Sequence, residues 1–357
     1  MFLSLLFLVF TLQTDQREDI SRWLGYLESG NLEELREAIR QEPGEARAAI
    51  ETLMADFDHS IHSWRDAPEQ RRVNYSDTLL DSGLQLSQMV TEVTGDDFLQ
   101  RRFEARRDRV AATELLNDGE FEKAMSVIQD VRATARQLED QSFLFSTYLS
   151  SAYAHLGMGM PEKTLEDSKT ALQIARQIGE KVKYTLALFN LGTAHLHLGQ
   201  NDEALRYSSE AAESAAQIGN SIWEANAWLN VGYVEITQRN HQAAEEAFGK
   251  TLSLSQKAGD PVGEGRAYYN LGIVFLNQKK WTLAREHLES SLRFIRDVDI
   301  RHSHDIDEYN YVEKFTLEAL LHIYKQLKLE DPAVIDPVRH SLEEFAGRSS
   351  SGDQHAH

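Results

Sequence analysis

Apolar positions recur along this chain every forty residues, a spacing far longer than one helix or strand. Leu116, Leu156, Leu196, Ile236 and Leu276 form one column, and Ala124, Ala204, Ala244 and Ala284 a second in which Thr164 is the polar substitute. A third column reads Asn190-Leu191-Gly192, Asn230-Val231-Gly232 and Asn270-Leu271-Gly272, fading backwards to Ser150-Ser151-Ala152 and Val110-Ala111-Ala112. A period in the range of about 20–50 residues marks units that cannot bury their apolar faces alone and must stack on their neighbours.

Each unit contains two helical patterns. From Asn190, Leu191, Gly192 and Leu196 share the inner side of one helix, where glycine lets a neighbouring helix approach closely. Gly199 stops that helix and Asp202 is placed to cap the next. Ala204 and Ala211 then lie one heptad apart on a single face, with Leu205 and Ala212 beside them. Closing signals recur as Ile178-Gly179-Glu180, Ile218-Gly219-Asn220 and Ala258-Gly259-Asp260. Several columns in one register predict an all-α solenoid of antiparallel helix hairpins.

The flanks extend this pattern in degenerate form, as terminal units of a repeat array require. Asn31 is expected to cap a helix over 32–40 that Pro43-Gly44 ends, and Ser76 to cap another reaching Val93 before Gly95. Residues 297–310 read as a polar, irregular insertion. A final helix begins near Leu320, its partner spans 332–345, and 347–357 reads as disordered. The expected organisation is therefore an apolar segment over 1–14, a helical region over 15–102, clear repeats over 103–300, capping helices over 301–346 and the tail. The apolar stretch 2–12 is shorter than the roughly 17–25 residues of a membrane span. It has the length of a signal-peptide core but lacks a preceding Lys or Arg, so cytoplasmic and exported locations both stay open, as does a membrane anchor.

Composition narrows the function classes. There are 37 basic and 57 acidic residues, a formal net charge of −20, and no cysteine. So negative a surface repels phosphate backbones and disfavours nucleic acid as a partner. Thiol catalysis, disulfides and Cys-ligated zinc are excluded. No zinc-protease motif, Gly-Lys-Ser/Thr phosphate loop, nucleophile elbow or dinucleotide glycine pattern is present. His302, His304, Asp305, Asp307 and Glu308 include metal-type ligands, yet nothing in sequence makes three or four of them converge. Neither an enzyme, a metal site nor a cofactor is expected.

The stretches Ala267-Tyr268-Tyr269-Asn270-Leu271-Gly272 through Ala284, and Ala187 through Ala211, resemble the tetratricopeptide repeat family. The resemblance covers about 103–296, and its forty-residue period, longer than the usual thirty-four, is similar to the extended subclass of spindle-orientation adaptors and kinesin light chains. Glu235 departs from the pattern, as do Arg239-Asn240 and Lys279-Lys280, which stand where a turn glycine is usual. The resemblance implies a right-handed superhelical solenoid, non-catalytic, whose first helices line a concave groove for a protein or peptide partner. It further implies that Asn190, Asn230 and Asn270 contact the backbone of an extended peptide, an amide offering both donor and acceptor. The alternative is that these amides bond between adjacent helices.

Tyr153, Phe189, Tyr233, Arg266 and Tyr269 fall one turn away from those amides, and Tyr and Arg are enriched at interface hot spots. Packing between repeats is the competing role, and for Phe189 the stronger one. Arg266 is similar in position to an arginine that pairs with ligand carboxylates in the spindle adaptors. Separately, Arg101, Arg102, Arg106, Arg107 and Arg109 form a basic run in an acidic chain. Arg102, Arg106 and Arg109 share one helical face and suit either an external anion or the chain's own carboxylates. His155 and His195, forty residues apart, occupy equivalent positions and read as packing residues. A second class of function stays open: a peptide-sensing regulator or response-regulator phosphatase with an amino-terminal output bundle.

Overall fold

The computed structural model describes residues 17–63, 69–297, 306–329 and 331–352. Among them there is no strand, only helices: α1 (Arg17–Ser29), α2 (Leu32–Gln41), α3 (Pro43–Ser63), α4 (Glu69–Thr94), α5 (Phe98–Asn117), α6 (Phe121–Gln137), α7 (Gln141–Gly157) and α8 (Pro161–Ile178). They continue as α9 (Lys181–His197), α10 (Asn201–Ile218), α11 (Ser221–Thr237), α12 (His241–Ala258), α13 (Pro261–Asn277), α14 (Trp281–Asp297), α15 (Ile306–Gln326) and α16 (Pro332–Gly352). The chain divides into two compact units, Met1–Leu116 with Glu120–Thr147, and Asn117–Gly119 with Tyr148–His357.

In the first unit, Ile20, Trp23, Leu35, Ile39, Ile50, Leu53 and Leu86 pack into one buried core with Phe103. Gly83 of α4 exists to admit that ring, since a Cβ there would lie 2.2 Å from Phe103. Asn31 caps α2 by accepting from the Glu34 amide. Pro43 does more than end α2: it opens α3, because a residue without an N–H and with φ preset suits a first helical position. Helix α4 begins at Glu69, so Ser76 lies inside it rather than capping it. No Gly or Pro interrupts the chain between Glu69 and Gly83.

The second unit explains the repeated columns. The glycine of each Asn-Leu-Gly triplet is where the first helix of a hairpin crosses the second, and its partner lies sixteen residues on. A Cβ on Gly192 would stand 2.4 Å from Ser208, one on Gly232 2.3 Å from Phe248, and one on Gly272 2.6 Å from Leu288. Ala204, Ala244 and Ala284 are fully buried at the matching crossings. Gly179, Gly219 and Gly259 close α8, α10 and α12 in the left-handed conformation, which glycine adopts without a Cβ penalty.

One reading of the turns needs correction, that of Asp202. The residue following each closing glycine opens the next helix: Asn220 accepts from the Trp223 amide at 2.9 Å and Asp260 from that of Gly263 at 3.0 Å. Asp202, by contrast, lies within the first turn of α10, whose cap position is Gln200. At the carboxyl end α15 already starts at Ile306, fourteen residues before the expected Leu320, and α16 runs on to Gly352 through a stretch read as disordered. The apolar segment 1–14, residues 298–305 with His302 and His304, and residues 353–357 lie outside the described residues. No helix among the described residues is long and apolar enough to cross a membrane.

Candidate peptide-binding groove

Within the second unit the first helices of successive hairpins touch one another, α9 against α11 and α11 against α13. Closeness on that side and divergence on the other make the first helices the inner wall. Their outward stripe follows helical spacing, i, i+3 or i+4, and i+7. It carries Tyr153 on α7, Phe189, Asn190, Thr193 and His197 on α9, Asn230, Tyr233 and Thr237 on α11, and Arg266, Tyr269, Asn270 and Asn277 on α13. No carboxylate occupies this set of positions, although the chain holds 57 acidic residues.

The three asparagines are aligned but not equivalent. Asn230 Nδ2 donates to Thr193 Oγ1 at 2.9 Å, crossing from α11 to α9. Asn270 Nδ2 donates to the Arg266 carbonyl at 2.8 Å and to the Tyr233 hydroxyl at 3.3 Å, crossing from α13 to α11. Both side chains are buried, with 7% and 5% of the residue exposed. Each thus ties its helix to the one 37 residues earlier, the bonding role the sequence left as an alternative. Asn190 is half-buried and makes no side-chain hydrogen bond among the described residues. Thr193, which completes the first rung, carries no periodic signal, so the sequence alone did not single it out.

Aromatic side chains frame the stripe. Tyr153 is 51% exposed, a large value for a tyrosine in a packed helix pair. Tyr233 is half-buried and meets the Phe248 ring edge-on, centroids 5.7 Å apart. Tyr269 packs partly on the core formed by Leu271, Val274 and Leu317. Arg266 and Phe189 are half-buried on the same face. The stripe therefore offers amide, hydroxyl and aromatic groups and, in Arg266, a single cation at one end, which suits hydrogen bonding to an extended backbone rather than bond-breaking chemistry.

The basic run belongs to the first unit, and the anion facing it is the chain's own. Arg102 Nη2 reaches Asp140 Oδ2 at 3.0 Å and Arg106 Nη2 reaches the same oxygen at 3.2 Å. Arg106 is 1% exposed and lies 4.7 Å over the Phe143 ring, with Arg109 at 6.0 Å. Asp140 also caps α7 by accepting from the Phe143 amide at 2.9 Å. Burial alone raises its carboxyl, but the Arg106 charge, that amide and Arg102 outweigh it and hold the group below its ordinary range. An external anion would have to displace Asp140, so Arg102 and Arg106 form an internal ion-pair core, with Arg109 beside them over the Phe143 ring.

A further polar cluster went unnoticed in the sequence. Asp167 on α8 accepts from the Ser151 hydroxyl and faces His155 Nδ1 at 2.9 Å. In the next hairpin the equivalent positions hold Leu191, His195 and Tyr207, whose rings stack at 5.3 Å. The shared carboxylate sits between serine and histidine, so the histidine is not placed to take the serine proton as catalytic nucleophiles require. Among the described residues no group of three or more His, Cys, Asp or Glu could hold a metal.

Comparison with known proteins gives a family. Residues 143–217 and 223–297 match the family model described as tetratricopeptide repeat, and residues 38–159 match that of anaphase-promoting complex subunit 5. No curated protein matches the chain. Among solved structures it is similar to a Signal Transduction ATPase with Numerous Domains protein with a tetratricopeptide repeat sensor from Pyrococcus horikoshii. That likeness has 14% identity and a TM-score of 0.60, covering 97% of this chain and 52% of that one, about half its length. Aspartyl phosphate phosphatase F from Bacillus subtilis is similar at 14% identity, covering 94% of this chain and 95% of that chain with a TM-score of 0.54. A Rap protein complexed with competence and sporulation factor gives 13% identity, 94% and 99% coverage, and a TM-score of 0.50. At such identities the likeness is one of fold. With its stacked hairpins, its crossing glycines and two matched segments, the region 143–297 is made of tetratricopeptide repeats.

Proposed function

We propose that this protein is a non-catalytic interaction scaffold, and that the inner face of its repeats, expected over 103–300, holds an extended peptide from a protein partner. The observation that carries this reading is the stripe on the first helices, where Tyr153 is exposed and Asn190 makes no side-chain hydrogen bond among the described residues while Asn230 and Asn270 brace the wall. A peptide backbone laid along it would meet the Asn190 amide as donor and acceptor, with Tyr153, Tyr233, Tyr269 and Arg266 contacting its side chains. The tetratricopeptide repeats support the scaffold class, since no catalytic constellation is needed for such a role.

Panning a random peptide display library against the full chain tests it. Wild type should enrich a peptide consensus that the Tyr153→Ala/Asn190→Ala variant loses by about tenfold or more. Asn230→Ala with Asn270→Ala should also weaken capture, with a modest stability cost of about 1 kcal/mol per lost hydrogen bond. Equal enrichment by wild type and the Tyr153→Ala/Asn190→Ala variant removes the groove assignment.

A second reading rests on the aspartyl phosphate phosphatase and the Rap protein, whose likeness spans nearly the whole of both chains. On that reading the repeats sense a peptide and residues 15–102 form an output bundle acting on phosphorylated response regulators. Incubating the full chain with a phosphorylated response regulator, and following loss of the phosphate, separates the two.

A further inference from the structure

The outer side of the second unit carries a feature the groove does not use. Where the second helices diverge, an open cleft of about 570 Å³ is lined by Lys169, Leu172, Gln173, Arg176 and Gln177 of α8 and by Tyr207 of α10. Its volume lies within the roughly 300–1,000 Å³ of small-ligand and side-chain pockets. Every polar group in the lining can donate a hydrogen bond, and no carboxylate is among them. Lys169 and Arg176 form no ion pair among the described residues, in a chain whose net charge is −20. Other cations of this chain, such as Arg36, Arg102 and Arg296, are paired with glutamate or aspartate.

Beside the cleft, Tyr184 of α9 engages both Arg176, by a side-chain hydrogen bond, and a carboxylate. Glu210 accepts the Tyr184 hydroxyl, and Arg176 lies 5.9 Å over the Tyr184 ring. Tyr207 is held by the His195 ring stacked at 5.3 Å and by the Arg206 guanidinium 3.9 Å over it. Arg206 adds a third cation nearby. The equivalent positions one repeat later are Ser209 and Ala216 in place of Lys169 and Arg176, with Glu213 in place of Gln173. The cationic lining is therefore particular to this cleft and is not a property of the repeat.

The geometry points to an oxyanion-binding site that takes a phosphomonoester, carried on a phosphorylated segment of a protein partner. Lys169 and Arg176 stand two turns apart, roughly 10 Å along the helix, and both line the cleft with Gln173 between them. Arg176 lies in the last turn of α8, where the carbonyl end of the helix disfavours an anion, so the seat falls towards Lys169. Charge-assisted hydrogen bonds from both cations favour a dianion over a single carboxylate. Repulsion by distant carboxylates is screened beyond about 8 Å at physiological salt, which leaves the local cations in control. The cleft is open and larger than a bare phosphate needs, and the scaffold class of the family points to a macromolecular carrier.

The test uses the full chain and a fluorescent degenerate phosphoserine peptide pool, with its unphosphorylated copy, inorganic phosphate and phosphoinositide-containing vesicles as separate arms. The phosphorylated pool should bind about tenfold tighter than its copy, and Lys169→Gln/Arg176→Gln should remove that difference. Both side chains are exposed, so the melting temperature should stay unchanged in the variant. Tyr153→Ala/Asn190→Ala should leave phosphopeptide binding intact, which separates this site from the groove. Equal binding of the two pools, an unaffected Lys169→Gln/Arg176→Gln variant, or capture by phosphate or vesicles with no gain from the phosphopeptide overturns the assignment.

Discussion

Removing the Asp140 carboxylate should strongly destabilise the first unit. In Asp140→Ala, Arg102 and Arg106 lose the carboxylate they share, Arg106 at only 1% exposed, and the α7 cap made by the Phe143 amide is lost with it. Deleting one member of a buried ion pair costs up to about 3–5 kcal/mol. Two features pull the value to the low end. Arg106 Nη1 keeps its bond to the Arg102 carbonyl at 3.2 Å, and Arg102 itself is 21% exposed and can turn to water. Loss of the cap adds about 1 kcal/mol, so a total near 3–4 kcal/mol follows. Urea unfolding of the full chain, with hydrogen exchange in α5 and α7 to localise the effect, measures it. Asp140→Asn keeps an acceptor for the cap and should fall between. The carboxyl is depressed in the folded state, so its stabilisation is present above the unfolded value of about 3.9 and is lost as pH falls through the folded one. Wild type should therefore lose its advantage over Asp140→Asn on acidification below about pH 4. A loss within about 0.5 kcal/mol for Asp140→Ala, the range of ordinary surface changes, would refute the reasoning that the shared carboxylate holds this core together.

Three other outcomes are expected. Gly232→Ala puts a methyl 2.3 Å from the fully buried Phe248 ring and should destabilise by about 1–3 kcal/mol, less the propensity that alanine gains; Phe248→Leu in the same chain should recover part of the loss in thermal unfolding. Arg239 and Lys279 hold φ of 63° and 58°, so Arg239→Gly and Lys279→Gly should each stabilise by about 0.5–1 kcal/mol, and a lower melting temperature in either would count against left-handed crowding. Asp167→Ala leaves Ser151 and His155 without their shared acceptor and should cost about 1–3 kcal/mol, read as a shift in denaturant midpoint.

The repeat length, the all-helical class and the hairpin rhythm could be read from residues alone because they are periodic. A column such as Ala204, Ala244 and Ala284 records the same contact several times over. Positions where closing glycines fall were legible for the same reason, since the left-handed conformation is cheap only for glycine. Arg239 and Lys279 show that the backbone keeps that conformation after the glycine has gone.

Contacts made once were not legible. Nothing in the spacing of Arg102 and Arg106 announces Asp140, which lies 38 and 34 residues away and meets them only after α5 and α7 pack. The polar trio of Ser151, His155 and Asp167 replaces an apolar contact in a single hairpin and so leaves no period behind. The sequence aligned the three asparagines, but only stacking decided that Asn230 and Asn270 turn into the wall while Asn190 makes no side-chain hydrogen bond among the described residues. Local propensity and repetition are written along the chain. The partner of a unique side chain is chosen by three-dimensional proximity, which sequence distance does not encode.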